Sequence, residues 1–302
     1  MKIKLLTIAF LSILFTLPVV GANDQAPLPS QIDLSLQFDQ WELPRRSQAS
    51  RPTCSVFAVV GALEFTQAKY GKKPEYLSVE YANWAKNQAV GTSTDGGFFH
   101  NIWRGIRRHG ICAENLYPYK DKFDAQAEPD ETARKNAAEF LEIPTDIRWI
   151  KRWDPKIGLN DSQFLEIKKT LHEGLPVSVG LRWPRKAEKK DDVLLWVPED
   201  GVYDGHSILF IGYQDDEHVE GGGYFITRNT NNRRQNEKMS YRYAKDYAND
   251  AIYFPLRDQT APKDAAEDLQ GPVWDVESTE KTARSSSKTF SKALPGRFAG
   301  AW

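Results

Sequence analysis

Cysteine is scarce in this chain: Cys54 and Cys112 are the two among 302 residues. That excludes a scaffold stapled by several disulfides and a four-cysteine zinc site. Net charge is almost absent too. Lys and Arg number 40 against 41 Asp and Glu, leaving −1, so no electrostatic footprint for nucleic acid or an anionic membrane exists. His100, His109, His172 and His218 have no partners at metal-ligand spacing, and neither a metal nor an organic cofactor is expected. Beyond the N-terminus there is no long apolar run, and there is no internal repeat. What remains is ordinary globular material. Apolar residues make up 40 % and charged residues 27 %, enough for a sizeable core. The length suits one large two-lobed domain or two ordinary ones.

Residues 1–22 read MKIKLLTIAFLSILFTLPVVGA. Lys2 and Lys4 give a positive start, Leu5 to Leu17 is almost wholly apolar, Pro18 breaks the run, and Val20 and Ala22 follow. This is the pattern of a secretory signal with cleavage after Ala22. The run is short for a spanning helix, so no stable membrane insertion is expected after cleavage, and the mature protein is expected to be secreted or periplasmic. Residues 23–30 form a short lead and 31–257 a folded body. From Asp258 to Trp302 the composition turns to Ala, Ser, Lys and Asp, which predicts a flexible tail. Lys281, Arg284, Lys288, Lys292 and Arg297 make its last part basic.

Within the body, Ser55 to Tyr70 is predicted to be a helix that is apolar nearly all round and therefore buried. Gly71 is placed to stop it. A second helix is predicted from Ser78, as N-cap, to Gln88, and a third from Phe98 to His109 with Gly110 as its stop. Asp161 is expected to cap a fourth, carrying Phe164, Ile167 and Leu171. Then the pattern changes. Val177 to Leu181, His206 to Tyr213 and Tyr224 to Arg228 read as strands, the last two joined by a turn at Gly221-Gly222-Gly223. Helices first and strands later predict an α+β protein with a helical lobe and a β lobe.

The chemistry centres on Cys54. A thiol at the start of a helix feels the positive end of the dipole, which favours thiolate, and a thiolate is a strong nucleophile near neutral pH. It needs a base and a group to orient that base. His206 opens one predicted strand and Asn229 follows another, and they meet only if the pairing register of the two strands is shifted. Acyl transfer also needs donors for an oxyanion. Gln48, six residues before Cys54, offers a side-chain NH₂ beside the Cys54 N–H.

These residues carry a resemblance. Gln48 and Cys54 with Phe57, Leu77-Ser78, Asp95-Gly96-Gly97, Gly110-Ile111 with Glu114 and Tyr117-Pro118-Tyr119, Pro176-Val177-Ser178-Val179, Gly205-His206 and Asn229 stand in this order. The series resembles the papain family of cysteine proteases, of the cathepsin type, over roughly residues 29–254. The resemblance implies a papain-like two-lobe fold, a helical lobe followed by an antiparallel β lobe with the active-site cleft between them. It implies a Cys54–His206–Asn229 mechanism, Gln48 on the oxyanion, Gly96 and Gly97 along an extended substrate, and peptides or proteins as substrates. The chain departs from the family in places. Ser55 replaces the tryptophan after the nucleophile. Asn229-Thr230-Asn231-Asn232 replaces Asn-Ser-Trp-Gly. Arg51 and Thr94 occupy the two positions of the family's nearby disulfide. Two other readings use the same cleft: a non-catalytic peptide binder, and an acyl transferase or side-chain amidase.

Overall fold

The computed structural model describes residues 27–141, 145–231 and 235–256. The expected signal segment and the expected tail lie outside the described residues. The chain opens with a short strand, β1 (Gln31–Asp33), and a short helix, α1 (Ser35–Gln40). Four longer helices follow: α2 (Cys54–Lys69), α3 (Val79–Val90), α4 (Phe99–His109) and α5 (Glu131–Phe140). After β2 (Arg148–Lys151) and α6 (Asp161–His172) the chain is mostly strand. It runs through β3 (Val177–Pro184), β4 (Lys189–Lys190), β5 (Val193–Leu194), β6 (Val202–Asp215), β7 (Gly223–Arg228) and β8 (Glu237–Ser240), then α7 (Tyr241–Tyr247) and β9 (Ala248–Tyr253).

The strands form one sheet in the order β2-β9-β3-β6-β7-β8-β5-β4. All neighbours are antiparallel except β5 and β8. The fold class is α+β, as expected, with one amendment to the order of elements. Strands β1 and β2 come early in the chain and still join the sheet. β1 pairs with Gly212–Tyr213–Gln214 of β6, beyond the stretch of β6 that β3 occupies.

Helix α2 lies against the sheet. All its residues are buried except Gly61 and Lys69. A helix that is apolar nearly all round has to be covered on every side, and its buried Glu64 is met by Arg46 and the Leu77 N–H. Each of Val56, Val59, Val60 and Leu63 contributes about 1.5–3 kcal/mol when removed from water. Two side-chain bonds fix its height against the sheet. Ser178 Oγ donates to Ala58 O at 2.9 Å, and Thr66 Oγ1 donates to Phe254 O at 2.8 Å.

Local signals set most boundaries. Ser78 accepts from the Tyr81 N–H at 2.9 Å and caps α3. Gly110, at φ 75°, ends α4. Two expectations need correction. Cys54 is the first residue of α2, with Thr53 as its N-cap, and does not stand before the helix. The cap of α6 is Asn160, not Asp161. The Asn160 side chain accepts from the Gln163 N–H, and Gln163 bonds back to the Asn160 N–H. Asn160 has the extended backbone that a cap requires, whereas Asp161 is already helical and places its charge in the first turn.

Candidate active site

Cys54 begins α2 in the helical lobe and faces β6 of the β lobe, 3.9 Å from the carbonyl oxygen of Gly205. Gly205 sits in a left-handed backbone at φ 106°. It is also where the β3–β6 pairing slips, between Leu181↔His206 and Arg182↔Asp204. That irregularity turns the strand just before the histidine.

His206 Nε2 lies 2.9 Å from Asn229 Oδ1. A second irregularity makes this pairing possible. Between β6 and β7 the register moves from Tyr213↔Phe225 and Gly212↔Ile226 to Phe210↔Thr227 and Leu209↔Arg228, with Ile211 as the extra residue. Continued by one residue, the shifted register sets Asn229 opposite Ile208, and therefore on the face that His206 shares. Without the bulge Asn229 would oppose Leu209 and point to the other face, because side chains alternate along a strand. The Asn229 oxygen also accepts from the Thr230 N–H at 2.8 Å, and its Nδ2 donates to Glu237 Oε2 at 3.0 Å.

Cys54, His206 and Asn229 are 8 %, 8 % and 3 % exposed. The tryptophan missing after Asn229 therefore leaves no open flank there. Trp183, from β3, packs against the His206 ring edge to face, with centroids 4.4 Å apart. Burial alone would push the Cys54 thiol up. The hydrogen bond and charge of His206, with the backbone donors of Ser207 and Ser55, reverse this and hold it below an ordinary thiol. Burial alone would lower His206. The bond and charge of Cys54, then the Asn229 bond, then the Glu237 charge raise it above an ordinary imidazole. Both shifts favour thiolate and imidazolium together.

Gln48 is joined to the same corner. Its N–H donates to Thr230 O at 3.0 Å, and its Oε1 accepts from Thr230 Oγ1 at 2.6 Å. Its Nε2 donates to Arg51 O at 2.8 Å, which leaves one of the two amide hydrogens for another acceptor. Thr230, the residue that follows Asn229, thus ties the glutamine to the histidine's corner of the site, a link with no signal in the sequence.

Gly96 and Gly97 lie beside the start of α2. Gly96, at φ 64°, passes so close that an added Cβ would stand 2.3 Å from Pro52 O, so no larger residue fits. Its N–H donates to Asn83 Oδ1 at 3.0 Å, and the Gly97 N–H donates to Ser55 Oγ at 3.1 Å. Both N–H groups of the expected substrate edge therefore have partners within the protein.

Arg51, 4 % exposed, joins the same two segments that a disulfide from its position would join. It makes a two-pronged contact with Asp95, Nε to Oδ2 at 3.0 Å and Nη2 to Oδ1 at 2.7 Å. Its Nη1 reaches Glu80 Oε2 at 2.5 Å and Lys120 O at 2.7 Å, and the guanidinium lies over the Tyr119 ring. Burial alone would lower its pKa, and the bonds from Asp95 and Glu80 more than restore it. Thr94, the other disulfide position, is engaged with Lys86 and Asn87.

Cys112 is fully buried and is a free thiol, as is Cys54. Burial pushes Cys112 up to about 12, so it is no nucleophile at neutral pH. Among the described residues, no group of three His, Cys, Asp or Glu side chains could hold a metal ion, and no helix is long and apolar enough to cross a membrane.

The family model described as papain family cysteine protease matches residues 28–252. No curated protein matches the sequence. Similar solved structures include xylellain, a cysteine protease from Xylella fastidiosa. It shares 18 % identity and a TM-score of 0.62 over 77 % of this chain and 88 % of that one. Digestive procathepsin L 3 of Tenebrio molitor larval midgut gives 17 % and 0.53, over 78 % and 72 %. The proform of Amb a 11, a cysteine protease and major ragweed pollen allergen, gives 17 % and 0.55, over 78 % and 67 %.

Proposed function

This chain belongs to the papain family of cysteine proteases and is a cysteine-type peptidase, and we propose that it is exported and cleaves peptide bonds through Cys54, His206 and Asn229. The apolar leader at residues 1–22 supports export. The observation that carries the mechanism is the buried 2.9 Å bond between His206 Nε2 and Asn229 Oδ1. It engages one ring nitrogen and leaves Nδ1 as the atom that exchanges a proton with Cys54.

With the proton on His206, the Cys54 thiolate attacks the peptide carbonyl carbon. Charge moves to the carbonyl oxygen, and the Cys54 N–H and the second amide hydrogen of Gln48 are the donors assigned to it. The tetrahedral species collapses as His206 gives its proton to the leaving amine. A thioester between Cys54 and the acyl half remains. Water, deprotonated by His206, then attacks this carbonyl, and the carboxylic acid leaves as the thiolate re-forms. Gly96 keeps the loop close to Pro52. Gly97 offers backbone to an extended substrate, with the Ser55 hydroxyl as the exchangeable partner of its N–H.

The pair is productive only as thiolate and imidazolium. Acid protonates the thiolate, and alkali removes the imidazolium proton. Because Cys54 is shifted down and His206 up, kcat/KM should be bell-shaped with a plateau between the two limbs. The test is labelling of the purified protein by limiting iodoacetamide from pH 5 to 8, read by peptide mass spectrometry, beside hydrolysis of a fluorogenic peptide. Cys54 should label rapidly even at the acid end and Cys112 should not, and in His206→Ala the labelling of Cys54 should slow to that of an ordinary thiol. Cys54→Ala should cost at least about 10⁴-fold in kcat/KM. Ordinary thiol kinetics at Cys54, alike with and without His206, would refute the mechanism and leave peptide binding as the reading.

A further inference from the structure

Asn229 can serve His206 in only one of its two amide orientations. With Oδ1 toward Nε2, it accepts the ring proton there. With Nδ2 toward Nε2, two donors would meet whenever the ring is protonated, and the imidazolium would be disfavoured. The two orientations have nearly the same shape, so something outside the amide has to choose between them.

The neighbours of the amide make that choice. The Thr230 N–H donates to Oδ1 at 2.8 Å, and Glu237 Oε2 accepts from Nδ2 at 3.0 Å. An ionised carboxylate only accepts. Turning the amide over would set its oxygen against a carboxylate oxygen and its NH₂ against an N–H. Glu237 is itself well anchored. It opens β8, where its partner across the strands is Thr227, and Thr227 Oγ1 donates to the Glu237 carbonyl at 3.2 Å. Its Oε2 also accepts from Asn231 Nδ2 at 3.0 Å, and its Oε1 pairs with Lys189 Nζ of β4 at 3.0 Å. The carboxylate is 12 % exposed.

We propose that Glu237 is a positioning residue for the reaction, holding the Asn229 amide in the orientation that presents Oδ1 to His206. The inference rests on the Cys54–His206–Asn229 reading and extends it by one residue, into a chain from thiolate to imidazole to amide to carboxylate. Glu237 touches neither substrate nor thiol and acts through Asn229. Its negative charge behind the ring also favours imidazolium. Among the described residues, the charged and titratable groups around this chain include Cys54 beside the ring, Tyr203 near Cys54, and Lys189 and Arg45 near Glu237. Lys189 and Arg45 temper the carboxylate's charge.

Two variants of the full chain test this, with melting temperature, kcat and KM for a fluorogenic peptide, and the pH dependence of Cys54 alkylation. Glu237→Ala removes both acceptor and charge. It should lower kcat by about 10–100-fold, the scale on which outer residues that orient a functional histidine act, with KM little changed. Glu237→Gln keeps an acceptor for Asn229 and removes the charge. It should retain most of kcat and move the alkaline limb down by about one pH unit. A purely packing role would instead lower the melting temperature and scale activity equally at every pH. Wild-type kcat and an unmoved alkaline limb in both variants would overturn the proposal. Should Glu237→Ala fail to fold, Glu237→Met, which fills the space and offers Asn229 no carboxylate, takes its place, and wild-type kcat in that variant overturns the proposal. The underlying reading fails separately, when wild-type Cys54 shows no activated alkylation or when Cys54→Ala remains active.

Discussion

The two walls of the cleft hold their reactive groups by different physical means. On the cysteine wall the fastening is buried charge. Arg51, 4 % exposed, binds Glu80 and Asp95, at 4 % and 8 %, and so ties the loop before Cys54 to the segment of Gly96 and Gly97. On the histidine wall a neutral amide and the indole of Trp183 hold the ring. Charge stands behind them, at Glu237 and Lys189, which are 12 % and 25 % exposed. A buried ion pair adds little net stability over an apolar replacement, yet it is costly to break from one side, because the remaining charge has no water. A pair nearer the rim is screened, so losing it costs little. One wall is therefore built to stay in a single geometry, and the other to tune the protonation of a base.

The contrast can be broken or sharpened by substitution. The largest effect expected is from Arg51→Met. It leaves Glu80 and Asp95 buried without their cation and should destabilise the protein by about 3–5 kcal/mol in chemical denaturation. A loss under about 1 kcal/mol would mean that the cluster is solvated and that burial is not what fastens this wall. Next in size is Ser55→Ala. It removes the Ser55 hydroxyl from the Gly97 N–H and frees that donor for substrate. KM for peptides should fall by up to about tenfold, the worth of one neutral hydrogen bond, with kcat little changed. A raised KM would show that the hydroxyl itself serves the substrate. The smallest is Lys189→Met, which should cost less than about 1 kcal/mol and leave kcat near that of wild type. A loss as large as that of Arg51→Met would erase the difference between the walls.

Legibility followed the range of the interactions. Helix α2 was readable because its nearly continuous apolar run and Gly71 are local features. So was α3, from Ser78 at its cap, and so were the cores of β3, β6 and β7. The cap of α6 lies one residue before the expected Asp161, because Asn160 and Asp161 both suit a cap and only the backbone angles separate them. Arg51 could be noted as standing in a disulfide position, but its partners lie 29 and 44 positions away, and no spacing rule reaches that far. Trp183 and Glu237 gave no signal. Each looks like an ordinary strand residue until the sheet brings it beside His206 and Asn229.

Residue types and their order, on their own, determined a great deal here. A nucleophile at a helix start, a histidine on one strand and an asparagine after the next name a chemistry, because few side chains can perform it and their local settings follow from short-range rules. Register was beyond their reach. Whether Asn229 shares a face with His206 turns on one extra residue at Ile211, and a strand pattern with period two reads almost equally well in either register. Long-range pairing made that choice, and with it the orientation of an amide, the clamp at Arg51 and the aromatic flank of the imidazole. These depend on which segments meet, and that is settled only when the whole sheet and the helix behind it pack together.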